Sequence, residues 1–201
     1  KPDILITCDG VMIHWLNKHL INIIFKNNDF DKNKSEFYYD TTWESKLNEN
    51  WDQNFGEKVY YELCEMYTLV PLPKGSENIE EFRIACIVDD ENIALKICEY
   101  YKKRINEYNL DKNNNKELKI HTFYCVEAHY KHNNKVCYWA AMTPDVCGKG
   151  NALTWITKEL KLNDNERYKI ICCGDSGNDI SMLNLYDINS VIVNNASNEL
   201  E

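Results

Sequence analysis

The stretch that most constrains this chain is Cys173-Gly174-Asp175-Ser176-Gly177-Asn178-Asp179, together with the apolar run from Tyr168 to Cys173 that leads into it. A short β-rich run ends in a glycine, two carboxylates follow four residues apart, and Met182 and Leu183 open an apolar face at helical spacing. Strand, tight acidic turn and helix is the repeating unit of α/β proteins, whose open sheets collect ligands at the carboxyl ends of their strands. Asp175 and Asp179 would then be presented from one loop at such an end. Paired hard oxygen donors, with room left for water and phosphate oxygens, suit magnesium. The same letters would also serve an acidic, solvated loop around a glycine turn, so a second feature has to carry the functional reading.

That feature is Gly148-Lys149-Gly150, one strand-and-helix unit upstream. Glycines on both sides let backbone come close to a ligand. The lysine stands where a helix begins, and there unsatisfied N–H groups and the helix dipole already favour an anion. Read alone, this is a surface lysine beside a turn. Followed by the acidic loop, it makes the layout of a magnesium-dependent phosphoryl-transfer site: a cation, then paired carboxylates, both at sheet ends.

The rest of the chain supplies the frame. Residues 3–7 predict a buried strand that ends at Asp9-Gly10, and the polar residues 27–42 predict a connector. From Trp43 to about Tyr67, apolar residues at three- and four-residue steps (Trp43, Leu47, Trp51, Phe55, Val59, Leu63, Met66) predict one amphipathic helix of core-packing aromatics, stopped by Pro71, Pro73 and Gly75. Phe82 to Val88 reads as a strand. Asp90 then caps a long helix whose buried face is Ala94, Ile97, Cys98, Tyr101, Ile105 and Tyr108. Leu118 to Val126 is a further strand, and Lys131 to Lys135 a polar surface loop of compositional origin. A helix with Ala152, Leu153, Ile156 and Leu160 on one face follows Lys149. Strand 169–173, a helix near 180–187 and strand 191–193 complete the alternation. The expected class is α/β: a Rossmann-like, mostly parallel sheet from 1–42 and 131–201, with an α+β unit over 43–130 inserted into it.

Gly148-Lys-Gly-Asn-Ala-Leu153 followed by Cys173-Gly-Asp-Ser-Gly-Asn-Asp-Ile-Ser-Met182 resembles the third and fourth motifs of haloacid-dehalogenase-type (HAD) phosphatases. Within these it looks like the sucrose-phosphate-phosphatase-like branch, whose cap is α+β (type IIB). Val193 to Ala196 resembles the segment after the fourth motif. Residues 2–13 and 43–53 match more loosely. The resemblance implies a magnesium-dependent phosphatase acting on a small phosphate monoester, a sugar phosphate, through an aspartyl-phosphate intermediate. By the same resemblance Asp175 and Asp179 hold the magnesium, Lys149 grips the transferring phosphoryl oxygens, and Asn178 contacts substrate or phosphate. Gly174, Ser176 and Gly177 shape the loop, while the cap closes over the site and chooses the leaving group.

One departure matters. The family's nucleophile belongs to an Asp-x-Asp-Gly motif, and Thr7-Cys8-Asp9-Gly10 offers threonine in the attacking position. Residues 2–13 look more like the family's strand just before the cap. That places the first two motifs upstream of Lys1 and makes the chain, which opens without methionine and ends soon after its last core strand, a fragment inactive by itself. A true substitution at Thr7 is the other reading. With it goes a catalytically inactive relative that binds a phosphorylated ligand or a protein partner.

Charge and cysteine usage bear on partners. Against 23 basic residues stand 32 acidic ones, a net of −9, which disfavours nucleic acid and anionic membranes. No apolar run approaches the ~20 residues that span a bilayer. The nine cysteines are odd in number, form no CxxC pair and fall mostly in apolar segments. Reduced thiols in a cytoplasmic protein, without a zinc site, are therefore expected, and Cys172 and Cys173 are expected to be inert in a buried strand. His121 and His129 are expected to be structural or surface histidines. Oligomeric state is left open.

Overall fold

The computed structural model describes residues 2–7, 10–25, 38–72, 77–175, 177–194 and 196, the side chains of Ile23, Ala128 and His129 excepted. Cys8, Asp9, Pro73, Gly75 and Ser176, each used in the sequence reading, lie outside the described residues. The chain falls into two units, Lys1–Lys46 with Val146–Glu201, and Leu47–Asp145.

In the first unit, β1 (Ile4–Thr7) and β2 (Met12–Trp15) pair antiparallel, and β3 (Tyr38–Tyr39) extends the sheet from β2. The link from Thr7 to Met12 is too short for a parallel crossover, so an antiparallel pair is the geometry open to it. Helix α1 (Lys18–Ile24), which the sequence reading did not anticipate, is capped by Asn17, whose side chain accepts from the His19 and Leu20 backbone N–H groups. After β3, Asp40 caps α2 (Thr41–Asn48).

The later segment of this unit follows the expected alternation. Helix α5 (Lys149–Glu159) is followed by a single turn, α6 (Asp164–Arg167), with a capping box between Asn163 and Glu166. Strand β8 (Ile171–Gly174), a 3-10 turn (Gly177–Asp179), α7 (Ile180–Leu183) and β9 (Asn189–Ile192) complete it. An Arg167–Asp187 ion pair ties α6 to the approach to β9. The β8–β9 pair is parallel, in register from Ile171 with Asn189 to Gly174 with Ile192. Among the described residues it is the parallel pairing; the other ladders are antiparallel.

The second unit is a four-stranded antiparallel sheet with two helices on one face. Its strand order is β4 (Ile79–Glu80), β5 (Arg83–Val88), β7 (Lys135–Pro144), β6 (Ile120–His132). Helices α3 (Gln53–Met66) and α4 (Glu91–Leu110) pack on the sheet and on each other. Between them they bury Val59, Leu63, Ala94, Ile97, Tyr101 and Ile105 against Ile84 and Cys86. An Arg104–Glu62 ion pair joins the two helices. The opposite face carries Val70, Ile87 and Cys137, covered in part by Leu72, Tyr130 and Trp139.

Two expectations are revised here. The single helix from Trp43 to Tyr67 is two, because Asp52 caps a fresh start by accepting from the Phe55 N–H at 3.0 Å. Lys131 to Lys135 is at the surface as expected, but its asparagines have a structural role: Asn133 and Asn134, at φ 51° and φ 64°, are the two-residue turn of the β6–β7 hairpin. A tight hairpin turn of this kind needs positive φ at both central residues, which asparagine tolerates better than other side-chain-bearing residues. Residues 131–145, counted with the first sheet in the sequence reading, therefore sit in the second unit as half of that hairpin. Among the described residues no helix is long and apolar enough to cross a membrane.

Candidate functional site

Strand β8 ends at Gly174, a position that tolerates no side chain. A Cβ there would stand 2.6 Å from the Asp179 Cβ and 2.9 Å from its Oδ2. The vacated space lets the Asp179 carboxylate fold back under the strand end, where its Oδ2 accepts the Asp175 backbone N–H at 3.0 Å. Asp179 is thereby buried at 5% exposure, while Asp175, on the loop itself, is exposed. The four-residue spacing of the two carboxylates is thus a clasp that sets one aspartate against the backbone of the other.

Lys149 closes the clasp. Its ammonium donates to Asp179 Oδ1 at 2.7 Å, across thirty residues of sequence. A buried carboxylate and a lysine on a helix end satisfy one another, and the ammonium's two remaining hydrogens can serve a further acceptor. The flanking glycines place the lysine. Gly148 has φ 113°, a left-handed conformation strained for any other residue, and it begins α5 without a side-chain cap. At Gly150 a Cβ would lie 2.2 Å from the Ser181 carbonyl oxygen, so α5 and α7 meet backbone to backbone. The Gly150 N–H goes to Ser181 Oγ at 3.2 Å. These glycines hence let the protein approach itself.

The structure brings together Lys149, Gly174, Asp179 and the Asp175 backbone. Gly177 and half-buried Asn178 form the 3-10 turn between them, and Ser176 lies outside the described residues. Ser181 belongs to the site and was not singled out from the sequence, although it stands in the run after Asp179. Cys172 is buried, and burial pushes its thiol up. Cys173 is exposed, contrary to expectation, because alternate residues of β8 point to a face left uncovered. His121 is exposed, its ring stacked on Phe123 at 5.5 Å. The His129 side chain is outside the description. Among the described residues no three His, Cys, Asp or Glu side chains cluster as a ready metal cage.

Residues 30–201 match the family described as sucrose-6F-phosphate phosphohydrolase. The chain is 27% identical over 165 residues to sucrose-phosphatase 1 of Nicotiana tabacum, covering 80% of this chain and 32% of that protein. It is 37% identical over 70 residues to probable sucrose-phosphatase 2 of Arabidopsis thaliana, covering 33% of this chain and 17% of that one. The chain thus spans about a third or less of the length of these relatives. Among solved structures it is similar to the sucrose-phosphatase of Synechocystis sp. PCC6803 in complex with sucrose and phosphate. The TM-score is 0.62 and the identity 19%, covering all of this chain and 62% of that one. A haloacid dehalogenase-like hydrolase protein from Bacillus subtilis, yhjK, matches at TM-score 0.50 and 20% identity, covering all of this chain and 61% of that one. At those identities the two structures establish the α/β HAD-like fold.

Proposed function

The chain belongs to the sucrose-6F-phosphate phosphohydrolase family, in the HAD superfamily, and on that premise we propose that it supplies the phosphoryl-gripping part of a phosphatase acting on a sugar phosphate. The observation that carries this reading is the Lys149–Asp179–Asp175 clasp. A cation is held 2.7 Å from a buried carboxylate, at the carboxyl end of a parallel strand, beside a second, exposed carboxylate.

Hydrolysis of a phosphate monoester needs little covalent help beyond a nucleophile; positioning and electrostatic stabilisation do most of the work. Lys149 would hold the non-bridging oxygens of the transferring group. Asp179 keeps that ammonium oriented before substrate arrives, so no reorganisation is needed as charge develops. Asn178, at the same turn, would contact substrate or phosphate. Gly174, Ser176 and Gly177 would give the loop its bend. No described residue is assigned as nucleophile.

The donor set fits a hard divalent cation. The Asp175 carboxylate is exposed at the loop, and the buried Asp179 carboxylate stands beside it, oriented by the Lys149 ammonium and the Asp175 N–H; carboxylate oxygens of this kind are the donors that magnesium takes. Asp175 would hold magnesium, with Asp179 supporting it. Bound there, the ion would offset charge on the phosphoryl oxygens. The unit formed by Leu47–Asp145 would select the leaving sugar.

The test is phosphate release by the full-length protein that carries this sequence, from a panel of sugar phosphates, sucrose phosphate included, with magnesium and with a chelator. Metal-dependent release that vanishes on Asp175→Ala is the expected result. Release indifferent to Asp175→Ala would overturn the assignment. Silence across the panel, with inorganic phosphate still bound, would replace it with a ligand-binding role.

A further inference from the structure

Asp40 is fully buried and accepts four N–H hydrogen bonds, none from the clasp itself. Oδ1 takes the Thr42 and Trp43 backbone N–H groups at 3.2 and 3.0 Å, capping α2. Oδ2 takes two indole N–H groups, from Trp15 on β2 at 3.1 Å and from Trp155 on α5 at 3.0 Å. Burying a carboxylate is costly, and an apolar group of the same size would pack as well. What the carboxylate adds is direction: two rigid aromatic rings are fixed by their polar tips to one atom.

Trp155 is in the same helix as Lys149. Its ring lies 5.6 Å from that of Trp43, and the Lys46 ammonium sits 5.1 Å from its centroid. The Trp43 indole in turn donates to the Gly10 and Val11 carbonyls at 3.1 and 3.0 Å. Gly10, at φ 91°, lies so close to Gly148 that a Cβ would stand 2.5 Å from the latter's carbonyl carbon. Helix α5 is therefore held at its first turn by Gly10 and Ser181, and off its axis, further along, by Asp40. The off-axis hold resists rolling. A roll of ~10° moves a side-chain tip ~6 Å from the axis by ~1 Å.

We propose that Asp40 is a positioning residue for Lys149: by accepting the Trp155 indole N–H it sets the roll of α5 and so keeps the Lys149 ammonium on Asp179. Its role in phosphoryl transfer rests on the reading given under Proposed function, whereas its hold on Lys149 does not.

The test compares Trp155→Phe with Trp15→Phe. Each removes one indole donor from the same oxygen and keeps an aromatic ring, but only Trp155 lies on α5. The first readout is the rate at which acetic anhydride acylates Lys149 at fixed pH, followed by mass spectrometry. In Trp155→Phe that rate should rise on the order of tenfold, the worth of one charge-assisted hydrogen bond, and in Trp15→Phe it should stay at the parental value. The second readout is turnover. Trp155→Phe should lower kcat by about tenfold to a hundredfold, as a misplacement of ~1 Å does, while Trp15→Phe lowers thermal stability without changing kcat. Asp40→Asn, which retains a cap acceptor but presents an amide to the indoles, serves if Trp155→Phe does not fold, and should acylate like it. Parental acylation in folded Trp155→Phe or Asp40→Asn, or equal effects of the two tryptophan substitutions on acylation and kcat, would overturn the proposal. Faster acylation in an enzyme that releases no phosphate would support the hold on Lys149 and defeat the phosphatase reading.

Discussion

Gly150 shows how little slack the site has. Its missing Cβ is the gap through which α5 touches Ser181, and the neighbour it would strike is backbone. Gly150→Ala should cost about 1–3 kcal/mol, the usual penalty of overpacking, seen as a lower denaturation midpoint. It should also weaken phosphate binding, since the helix it displaces carries Lys149. Lys149→Ala should lower kcat by about 10²–10³, as losing one preorganised donor to a developing oxyanion does. Lys149→Arg should recover part of that loss, because the charge returns without the geometry. Asp175 and Asp179 could be singled out in the sequence because their spacing encodes a local turn, and Lys149 because glycines flank it where a helix starts; the thirty-residue contact that joins Lys149 to Asp179 is not visible there. Asp40 could not be singled out. It sits in a stretch that reads as connector, and its indole partners lie 25 and 115 residues away, a separation that no window of composition or periodicity can register.

Among the elements, the β6–β7 hairpin offers a clean test of turn chemistry. Both central residues are asparagines at positive φ. Asn134→Gly should raise stability by about 0.5–1 kcal/mol, and Asn133→Val should lower it by about 1–2 kcal/mol, the range for forcing a side chain into left-handed backbone. Chemical denaturation of the two variants checks both signs. The same turn shows why element type was easier to anticipate than element limits. Helix α4 appears where its cap and five of its six expected apolar positions put it, since Asp90 accepts from Asn92 and Ile93 N–H groups. The break between α2 and α3 rests instead on Asp52 competing with an uninterrupted apolar stripe, and Lys116, far along the chain, donates to the Trp51 carbonyl at 2.7 Å to seal it. In the first unit the antiparallel β1–β2 pair follows from loop length, which hydrophobic pattern alone does not weigh.

At the scale of the whole molecule, alkaline pH should find its weak point in the second unit. Burial pushes the Cys86 thiol up to about 12 and the Cys98 thiol up to about 11, and it raises the fully buried Tyr101 phenol as well. In the unfolded chain such a thiol ionises near 9. The folded state therefore keeps protons that the unfolded state has given up. Stability should be undiminished below pH 9 and fall steadily from there towards 12, which a series of thermal melts would record. Cys98→Ala should flatten part of that slope. Residues 47–145 carry their own sheet, helices and buried core in one uninterrupted run, so they should unfold cooperatively when produced alone, as calorimetry would show. The other unit draws on two stretches of sequence, 1–46 and 146–201. An inheritance follows from that arrangement. The residues proposed to handle phosphate and the region proposed to choose a sugar are written in separate paragraphs of the gene, so recombination at two points could exchange one and leave the other's wording intact.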